Sequence, residues 1–249
     1  MSRLDRALPG LVVVLAVLAA AGVLLAGPGY RFGWWGLGPA FTLLRSSAEL
    51  GLGAGAVAVV AIVVGGAQRS RRRLGLGILA LAIALAAFGI PWRMQAQARR
   101  VPPIHDVTTD PEDPPAFVAV VARRSGARNP VEYAGPAVAV QQRRAFPDLV
   151  PLDLAAPSER VFPAAEAAAR GLGWEIVAAV PAEGRLEATA TTSWFGFKDD
   201  VVVRVRARER GSRVDVRSLS RVGVGDLGVN AARVRAFLDR LRASGLPPA

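Results

Sequence analysis

The amino-acid sequence predicts an α+β fold class, with an N-terminal three-helix transmembrane region followed by an antiparallel sheet that carries helices packed on one face. Three uncharged apolar stretches lie within the first 92 residues. Apolar and polar side chains alternate in the C-terminal half, and stripes of apolar residues at helical spacing flank the alternating segments. We divide the chain into a transmembrane region at 1–94, a linker at 95–115 and an α+β domain at 116–249.

The three apolar stretches are long enough to cross a bilayer, which takes roughly 17–25 mostly apolar residues for a ~30 Å hydrocarbon core. The expected spans are residues 8–26, 50–67 and 74–92. The first follows Arg3 and Arg6, and no clear small-x-small cleavage site follows Leu25, which favours an uncleaved anchor over a signal peptide. The shorter apolar stretch 32–44 is expected to lie at the interface or to fold back over the spans.

Positive charge predicts the orientation of the spans. Four arginines lie in the short connection between the second and third spans: Arg69, Arg71, Arg72 and Arg73. Short loops rich in Lys and Arg stay in the cytoplasm, so this connection and the N-terminus are expected inside. The protein is then a multi-pass protein of the cell membrane with an extracytoplasmic C-terminal domain. Arg93, Arg99 and Arg100 act against this orientation, although long domains translocate largely regardless of such charges.

The distribution of charge argues against a nucleic-acid partner. Residues 1–100 carry 11 arginines and two acidic residues, a net charge of +9, whereas residues 101–249 carry 20 basic and 18 acidic residues, a net charge of +2. A nucleic-acid-binding module concentrates its basic charge in the folded domain. The chain also has no cysteine, which excludes disulfides, thiolate metal sites and a cysteine nucleophile.

The elements of the C-terminal half follow from periodicity. Val203, Val205 and Ala207 alternate with Arg204, Arg206 and Arg208, which is typical of a half-buried strand. With a two-residue turn at Gly211-Ser212, Arg208 would face Asp215 in the next strand. The arginine-rich outer face of this sheet is expected to meet solvent or a partner. The expected strands are at 150–152, 174–180, 185–192, 201–208 and 213–218, the helices are at 158–172 and 231–243, and 116–124 is either a short helix or a strand.

The chain carries a sequence signature near its C-terminus. The stretch SLSRVGVGDLGVN at residues 218–230, followed by Arg233, resembles the signature near the end of the domain of unknown function 1499 family. Further stretches similar to that family are residues 104–110, 114–117, 133–148 and 199–201. The sequence departs from the family at Val224-Gly225, where a basic residue and a serine are frequent. The resemblance implies a domain that follows a few membrane spans and implies little about mechanism.

Asp199 and Asp200 are the first candidate functional residues. They point to opposite faces of a strand, with Asp199 on the core side. A carboxylate there requires a partner, and Arg221 or Lys198 is expected to supply it. The main interpretation is a structural ion pair or a turn cap. The alternative is a ligand or metal contact shared with Asp226.

A glycine-rich loop at residues 223–228 precedes the last helix and contains Asp226, with Asn230 just beyond it. Backbone N–H groups at such a position bind anions, but the Gly-Lys-Ser/Thr of a phosphate-binding loop is missing. We expect Asp226 to cap the turn and Asn230 to be the N-cap of the helix.

The remaining candidates lie near the predicted membrane boundary and on a hairpin tip. His105 is the only histidine, and we expect His105-Asp106 to be involved in structural packing. Trp194, Phe195 and Phe197 either pack in the core or contact lipid or a partner.

The leading hypothesis is a membrane-anchored envelope protein that binds or assembles with a protein, a lipid or an envelope polymer. It needs no cofactor, metal or catalytic residue, and its partner is the lipid bilayer, with a protein partner or a second copy left open. The alternative is a metal-dependent or hydrolytic enzyme in which Asp199, Asp226 and His105 converge in a cleft. A third hypothesis is an assembly subunit in which Gly51 and Gly55 lie at a lipid-facing seam.

Overall fold

The computed structural model describes residues 3–249, with side chains from residue 9 onward. The side chains of Arg3 and Arg6, on which the predicted orientation partly depends, therefore lie outside the described residues. The chain forms two compact units, which we call the helical unit and the sheet unit. The helical unit is Met1–Gln97 with Trp194–Gly196, and the sheet unit is Ala98–Ser193 with Phe197–Ala249.

The helical unit consists of α1 (Arg3–Arg31), α2 (Leu37–Ala67) and α3 (Arg71–Ala98). Each of these helices is long and apolar enough to cross a membrane. The expectation for residues 32–44 was wrong in part, because α2 begins at Leu37 and takes up most of that stretch. Pro39 is compatible with this start since it lies in the first helical turn, where a backbone N–H has no helical partner.

Small residues bring the second and third apolar helices close together. A Cβ on Gly51 would lie 3.2 Å from Ala87 Cβ and 3.3 Å from Ala84 O in α3. A Cβ on Gly55 would lie 3.6 Å from Ala84 Cβ. Gly51 and Gly55 therefore pack between helices of the same chain, as small-xxx-small pairs do, and do not form the lipid-facing seam of the third hypothesis.

The sheet unit contains one antiparallel sheet of six strands, in the order β1-β6-β5-β4-β3, with β2 also paired to β6. This confirms the predicted fold class. The strands are β1 (Asp106–Thr108), β2 (Leu152–Leu154), β3 (Glu175–Val180), β4 (Arg185–Thr191), β5 (Lys198–Arg208) and β6 (Gly211–Ser220). The helices of this unit are α4 (Pro136–Ala145), α5 (Ser158–Gly171) and α6 (Val229–Arg242).

The main core lies between one face of the sheet and the helices α5 and α6. Alternate residues of the central strands point into it, including the buried Val203 and Val216. Phe237 of α6 is fully buried and stacks on Trp174 with 5.4 Å between ring centroids. The apolar stripe of α6 thus packs where its helical spacing predicts.

The predicted pairing of β5 with β6 was wrong by four residues. Arg208 pairs with Gly211, and Asp215 pairs with Arg204. Gly211 opens β6 instead of forming the turn. It has φ +129°, and a Cβ there would lie 2.0 Å from Leu154 O, so the backbone of β2 approaches too closely for any other residue. An even shift leaves every side chain on its predicted face.

The outer face of the sheet is covered by the chain itself. Residues 109–135, which we call the covering segment, run from the end of β1 to the start of α4. Its 3-10 helix, Ala119–Arg123, supplies Val120 to a small apolar cluster with Phe117, Val202 and Leu219. The expectation that this face meets solvent or a partner was therefore wrong. An irregular segment has no hydrophobic period from which its position could be predicted.

Candidate functional site

Asp199 and Asp200 lie next to each other at the start of β5 and point to opposite faces of the sheet. Asp199 is 3% exposed and accepts a hydrogen bond from Arg233 Nη2 of α6 at 2.6 Å. Its partner is therefore Arg233 rather than the expected Arg221 or Lys198. The difference arises because α6 packs on the core side, where Asp199 points.

Arg221 instead pairs with Asp200 on the outer face. The Asp200 carboxylate is fully buried and receives Arg221 Nη2 at 2.8 Å and Arg124 Nη1 at 2.5 Å. Arg221 Nε donates to Asp200 Oδ2 at 3.0 Å, and Thr189 Oγ1 donates to Oδ1 at 2.9 Å. Arg221 also donates to the main-chain oxygen of Arg123 at 2.7 Å. This carboxylate thus joins β5, the end of β6 and the covering segment.

Asp106 makes a similar buried ion pair with Arg217 of β6. Arg217 Nη2 lies 2.7 Å from Asp106 Oδ2. The Arg217 guanidinium group also contacts the rings of Phe117 and Tyr133, at 4.9 and 5.5 Å from their centroids. Burial raises the pKa of the Asp106 carboxyl, against the lowering effect of Arg217. Burial also raises the pKa of Tyr133 to about 12.

Two further carboxylates are buried on this face of the sheet: Glu187, which the sequence did not single out, and Asp215, which was expected to face Arg208. Glu187 accepts backbone N–H groups from Val118, Ala119 and Val120 at 2.9–3.1 Å. Asp215 accepts Arg206 Nη2 at 2.8 Å, and Arg204 also binds it. The alternation of β4, β5 and β6 already assigns Glu187, Asp215 and the arginines of β5 to one face of the sheet. Acidic and basic side chains on the same face are the sequence signal that could have predicted internal ion pairs.

The glycine-rich loop is tied to the start of α6 by Asp226. Asp226 Oδ1 accepts the N–H of Gly228 at 2.8 Å, and Oδ2 accepts the N–H of Asn230 at 2.6 Å. Burial raises the pKa of the Asp226 carboxyl, and these two backbone hydrogen bonds oppose that effect. Asp226 therefore caps the turn, as its position before the helix suggested.

Asn230 does not have the expected role of N-cap. The N-cap is Gly228, at φ +83°, and Asn230 lies inside the first turn of α6 and is fully buried. Asn230 Oδ1 accepts Ser218 Oγ at 2.6 Å, and Nδ2 donates to Ser220 Oγ at 2.9 Å and to the main-chain oxygen of His105 at 3.1 Å. The side chain thus joins α6, β6 and the residue before β1, a long-range role that local sequence does not indicate.

The loop is also fixed to the segment that precedes β1. His105 Nδ1–H donates to the main-chain oxygen of Val224 at 3.1 Å. The backbone N–H of Asp226 donates to the main-chain oxygen of Ile104 at 3.2 Å. Asn129 Nδ2 donates to the main-chain oxygen of Gly223 at 3.0 Å. The Val224 side chain itself points outward and is 78% exposed.

The three aromatic candidates divide between the two units. Trp194 and Phe195 belong to the helical unit, where Phe195 is 3% exposed and stacks on Phe41 at 5.6 Å. Trp194 Nε1 donates to the main-chain oxygen of Leu24 at 3.3 Å. Phe197 belongs to the sheet unit, is half-buried, and its N–H donates to Thr192 Oγ1 at 2.9 Å.

The residues of the enzyme hypothesis do not form a metal site. Among the described side chains, no group of three or more His, Asp or Glu residues is placed to hold a metal ion. Asp199 is paired, Asp226 is a cap and His105 binds a carbonyl oxygen. A shallow cavity of about 360 Å³ lies at the β5–β6 turn, beside Ser158 and Arg210, and none of the three residues lines it.

Comparison with protein families gives one match in the sheet unit. Residues 106–241, more than half of the chain, match the family described as "Protein of unknown function (DUF1499)". The matched region includes all six strands and the buried ion pairs described above, and it begins after the three apolar helices. The comparison with curated proteins gives no match.

Proposed function

We propose, from the premise that this chain belongs to the DUF1499 family of unknown function, that it is a membrane-anchored module of the cell envelope. In this proposal its C-terminal domain lies outside the cytoplasm and binds or assembles with a protein, a lipid or an envelope polymer. The three apolar helices support membrane embedding. The binding role is supported by one observation, the internal use of the candidate carboxylates.

A catalytic acid or base must be within hydrogen-bonding reach of its substrate. Asp199 and Asp200 are at most 3% exposed and are neutralised by arginines of the same unit. Asp226 is occupied by two backbone N–H groups. A fold that commits these groups to internal contacts is suited to present a rigid surface to a partner, which is why we favour binding over hydrolysis or metal chemistry.

The test is photo-cross-linking of the intact protein in its own membrane. A photoreactive amino acid replaces Val121, which is 46% exposed on the covering segment, and separately Glu209, which is exposed at the β5–β6 turn. We expect discrete adducts from at least one position, and an excess of unlabelled protein should remove them by competition.

Two results together would contradict this proposal and favour the enzyme. The first is that no exposed position of the domain gives a cross-linked adduct that an excess of unlabelled protein removes. The second is a hydrolytic or metal-dependent activity of the purified protein that Asp199→Asn abolishes while the exposed change Asp239→Asn leaves it intact. Arg242 pairs with Asp239 at 2.8 Å on the surface of α6, so this control also removes a paired carboxylate.

A further inference from the structure

We infer that the glycine-rich loop, residues 223–228, rests on the lipid surface and inserts the Val224 side chain among the headgroups. This inference rests on the proposed binding role and deepens it by naming lipid as the partner of one loop. It requires that the apolar helices are in the membrane, and it requires neither a protein partner nor a particular orientation. Its basis is the exposure, the rigidity and the position of the loop, together with the charge of the chain beside it.

Val224 is the most exposed large apolar side chain among the described residues, at 78%, and Val229 just beyond the loop is 39% exposed. A single exposed valine is ordinary on a protein surface. A flexible loop would, however, be free to fold such a side chain against the domain. The loop of this protein is held in a conformation that keeps Val224 pointing outward.

The main chain on both sides of Val224 is fixed. Gly223 has φ +99°, which glycine adopts without strain, whereas Leu227 has φ +60°, a left-handed conformation that a non-glycine residue keeps only with support from its surroundings. His105 holds the carbonyl oxygen of Val224, and Asp226 is hydrogen-bonded to Ile104 and to the first turn of α6. The valine is thus presented on a rigid support and loses little conformational freedom on binding.

Chain connectivity brings this support close to the membrane. A Cβ on Gly225 would lie 3.1 Å from Pro103 Cα, so the loop is in contact with the segment that follows α3. Helix α3 ends at Ala98, five residues before Pro103. Five residues span at most roughly 18 Å, and the polar headgroup layer beyond the hydrocarbon is itself about 5–8 Å thick. The loop is therefore tethered within reach of the headgroups.

The charge of the tether favours lipid as the occupant. Arg99 and Arg100 lie in it, both are exposed, and no acidic residue lies between Ala98 and His105. Exposed arginines in the tether attract anionic headgroups, and an apolar side chain that the tether holds near them enters the boundary between headgroups and acyl chains. A protein partner would not require this combination at the point where the chain leaves the membrane.

The test uses the full-length protein in liposomes. Since the chain has no cysteine, Val224→Cys gives a single site for an environment-sensitive fluorophore. Val150→Cys is the matched control, because Val150 is also an exposed valine, at 52%, and lies just before β2. Each labelled protein is reconstituted in phosphatidylcholine with phosphatidylglycerol, with and without lipids that carry a nitroxide on the headgroup. Unfolding temperatures are compared with that of the unlabelled protein.

We expect a blue-shifted emission and strong nitroxide quenching at position 224, with neither effect at position 150. The blue shift should weaken in pure phosphatidylcholine and when Arg99 and Arg100 are replaced by Gln. Equal quenching at both positions, with unfolding temperatures unchanged, would overturn the inference. So would a label at position 224 that stays exposed in liposomes and becomes protected only in native membranes, since that result assigns the loop to a protein partner.

Discussion

At the residue scale, the sheet unit is held together by arginine–carboxylate pairs buried between the sheet and the covering segment. Asp200 is fully buried with Arg124 and Arg221, and Asp106 is 3% exposed with Arg217. Removing one partner of such a group leaves the other charge without compensation in a poorly solvated place. These pairs are therefore the positions where single substitutions should affect stability most.

We expect Asp200→Ala to lower the free energy of unfolding of the sheet unit by about 3–5 kcal/mol, because two guanidinium groups lose their buried partner. The measurement is urea unfolding of the full-length protein in detergent. The control is Asp239→Ala, which removes the exposed pair with Arg242 and should cost less than about 1 kcal/mol. Equal costs for the two variants would show that burial of the Asp200 cluster contributes nothing to stability.

A second prediction concerns the pH dependence of Asp226. Because burial raises its pKa above the ordinary value of 3.8, the folded protein binds this proton more readily than the unfolded chain. Its contribution to stability is therefore fully present below the unfolded pKa and is lost as the pH rises through the folded pKa. The stability of the parent relative to Asp226→Asn should rise as the pH falls through that interval.

NMR titration of the labelled carboxyl carbon checks the shift directly. Asp148 serves as the opposite control, because its hydrogen bonds from Arg235 lower its pKa. Asp226 should therefore titrate at a higher pH than Asp148. A titration midpoint of Asp226 below that of Asp148 would refute burial as the dominant cause of the pKa shift at Asp226.

The sequence predicts which face a strand residue occupies more readily than it predicts the partner of that residue. Strand alternation predicted that Asp199 points toward the core. Its partner Arg233 comes from a helix 34 residues later in the chain. Whether that arginine reaches Asp199 depends on how α6 packs on the sheet, and local spacing does not contain this information.

At the element scale, strands with clear alternation and the helix α6 were predictable, while short or irregular elements were not. β1 has three residues, too few for a period to be visible. Helix α4 begins at Pro136 after Gly135. Because a Gly-Pro pair is also typical of a turn, the sequence did not distinguish a helix start from a turn at this point. The pairing of β5 with β6 was misplaced because an even shift keeps all side chains on the same faces and therefore satisfies the hydrophobic pattern equally well.

The covering segment should respond locally to the loss of Glu187. We expect Glu187→Gln to accelerate hydrogen exchange at the amides of residues 118–120 by roughly tenfold or more, since a hydrogen bond to a charged group contributes about 1.5–3 kcal/mol. A neutral amide also offers only one acceptor oxygen to the three N–H groups that Glu187 binds. Exchange in β6 should change little.

Hydrogen exchange with mass spectrometry measures this effect. The control is Glu175→Gln, because Glu175 pairs with Arg123 of the same 3-10 helix but is 67% exposed. Uniform acceleration across the sheet unit in Glu187→Gln would contradict a local role and indicate global destabilisation.

At the scale of the whole molecule, charge divides the chain. The half that contains the apolar helices carries most of the net charge of +11, and the sheet half is nearly neutral. The arginines of the sheet half are largely used in internal pairs, for example Arg124, Arg217 and Arg233. Arginine thus supplies the net charge on which the proposed orientation of the helices depends in one half, and it forms internal ion pairs in the other.

The proposed orientation predicts the behaviour of C-terminal fusions. Alkaline phosphatase fused after Ala249 should be active, because it folds only outside the cytoplasm, and a fluorescent protein that matures only in the cytoplasm should stay dark. Replacing Arg71, Arg72 and Arg73 with Gln should lower the phosphatase signal by weakening the retention of that connection inside. A stable but inactive phosphatase fusion together with a bright fluorescent fusion would reverse the orientation.

The pairing of β1 and β2 with β6 has a consequence for biosynthesis. Both early strands pair with the last strand, at Arg217–Leu219 and Ser212–Val214. A ribosome that makes the chain from its N-terminus therefore releases β1 and the covering segment about 100 residues before the strand that completes them. During this interval the groups that will pair with β6 lack their partners, so this region is open to chaperones until β6 emerges.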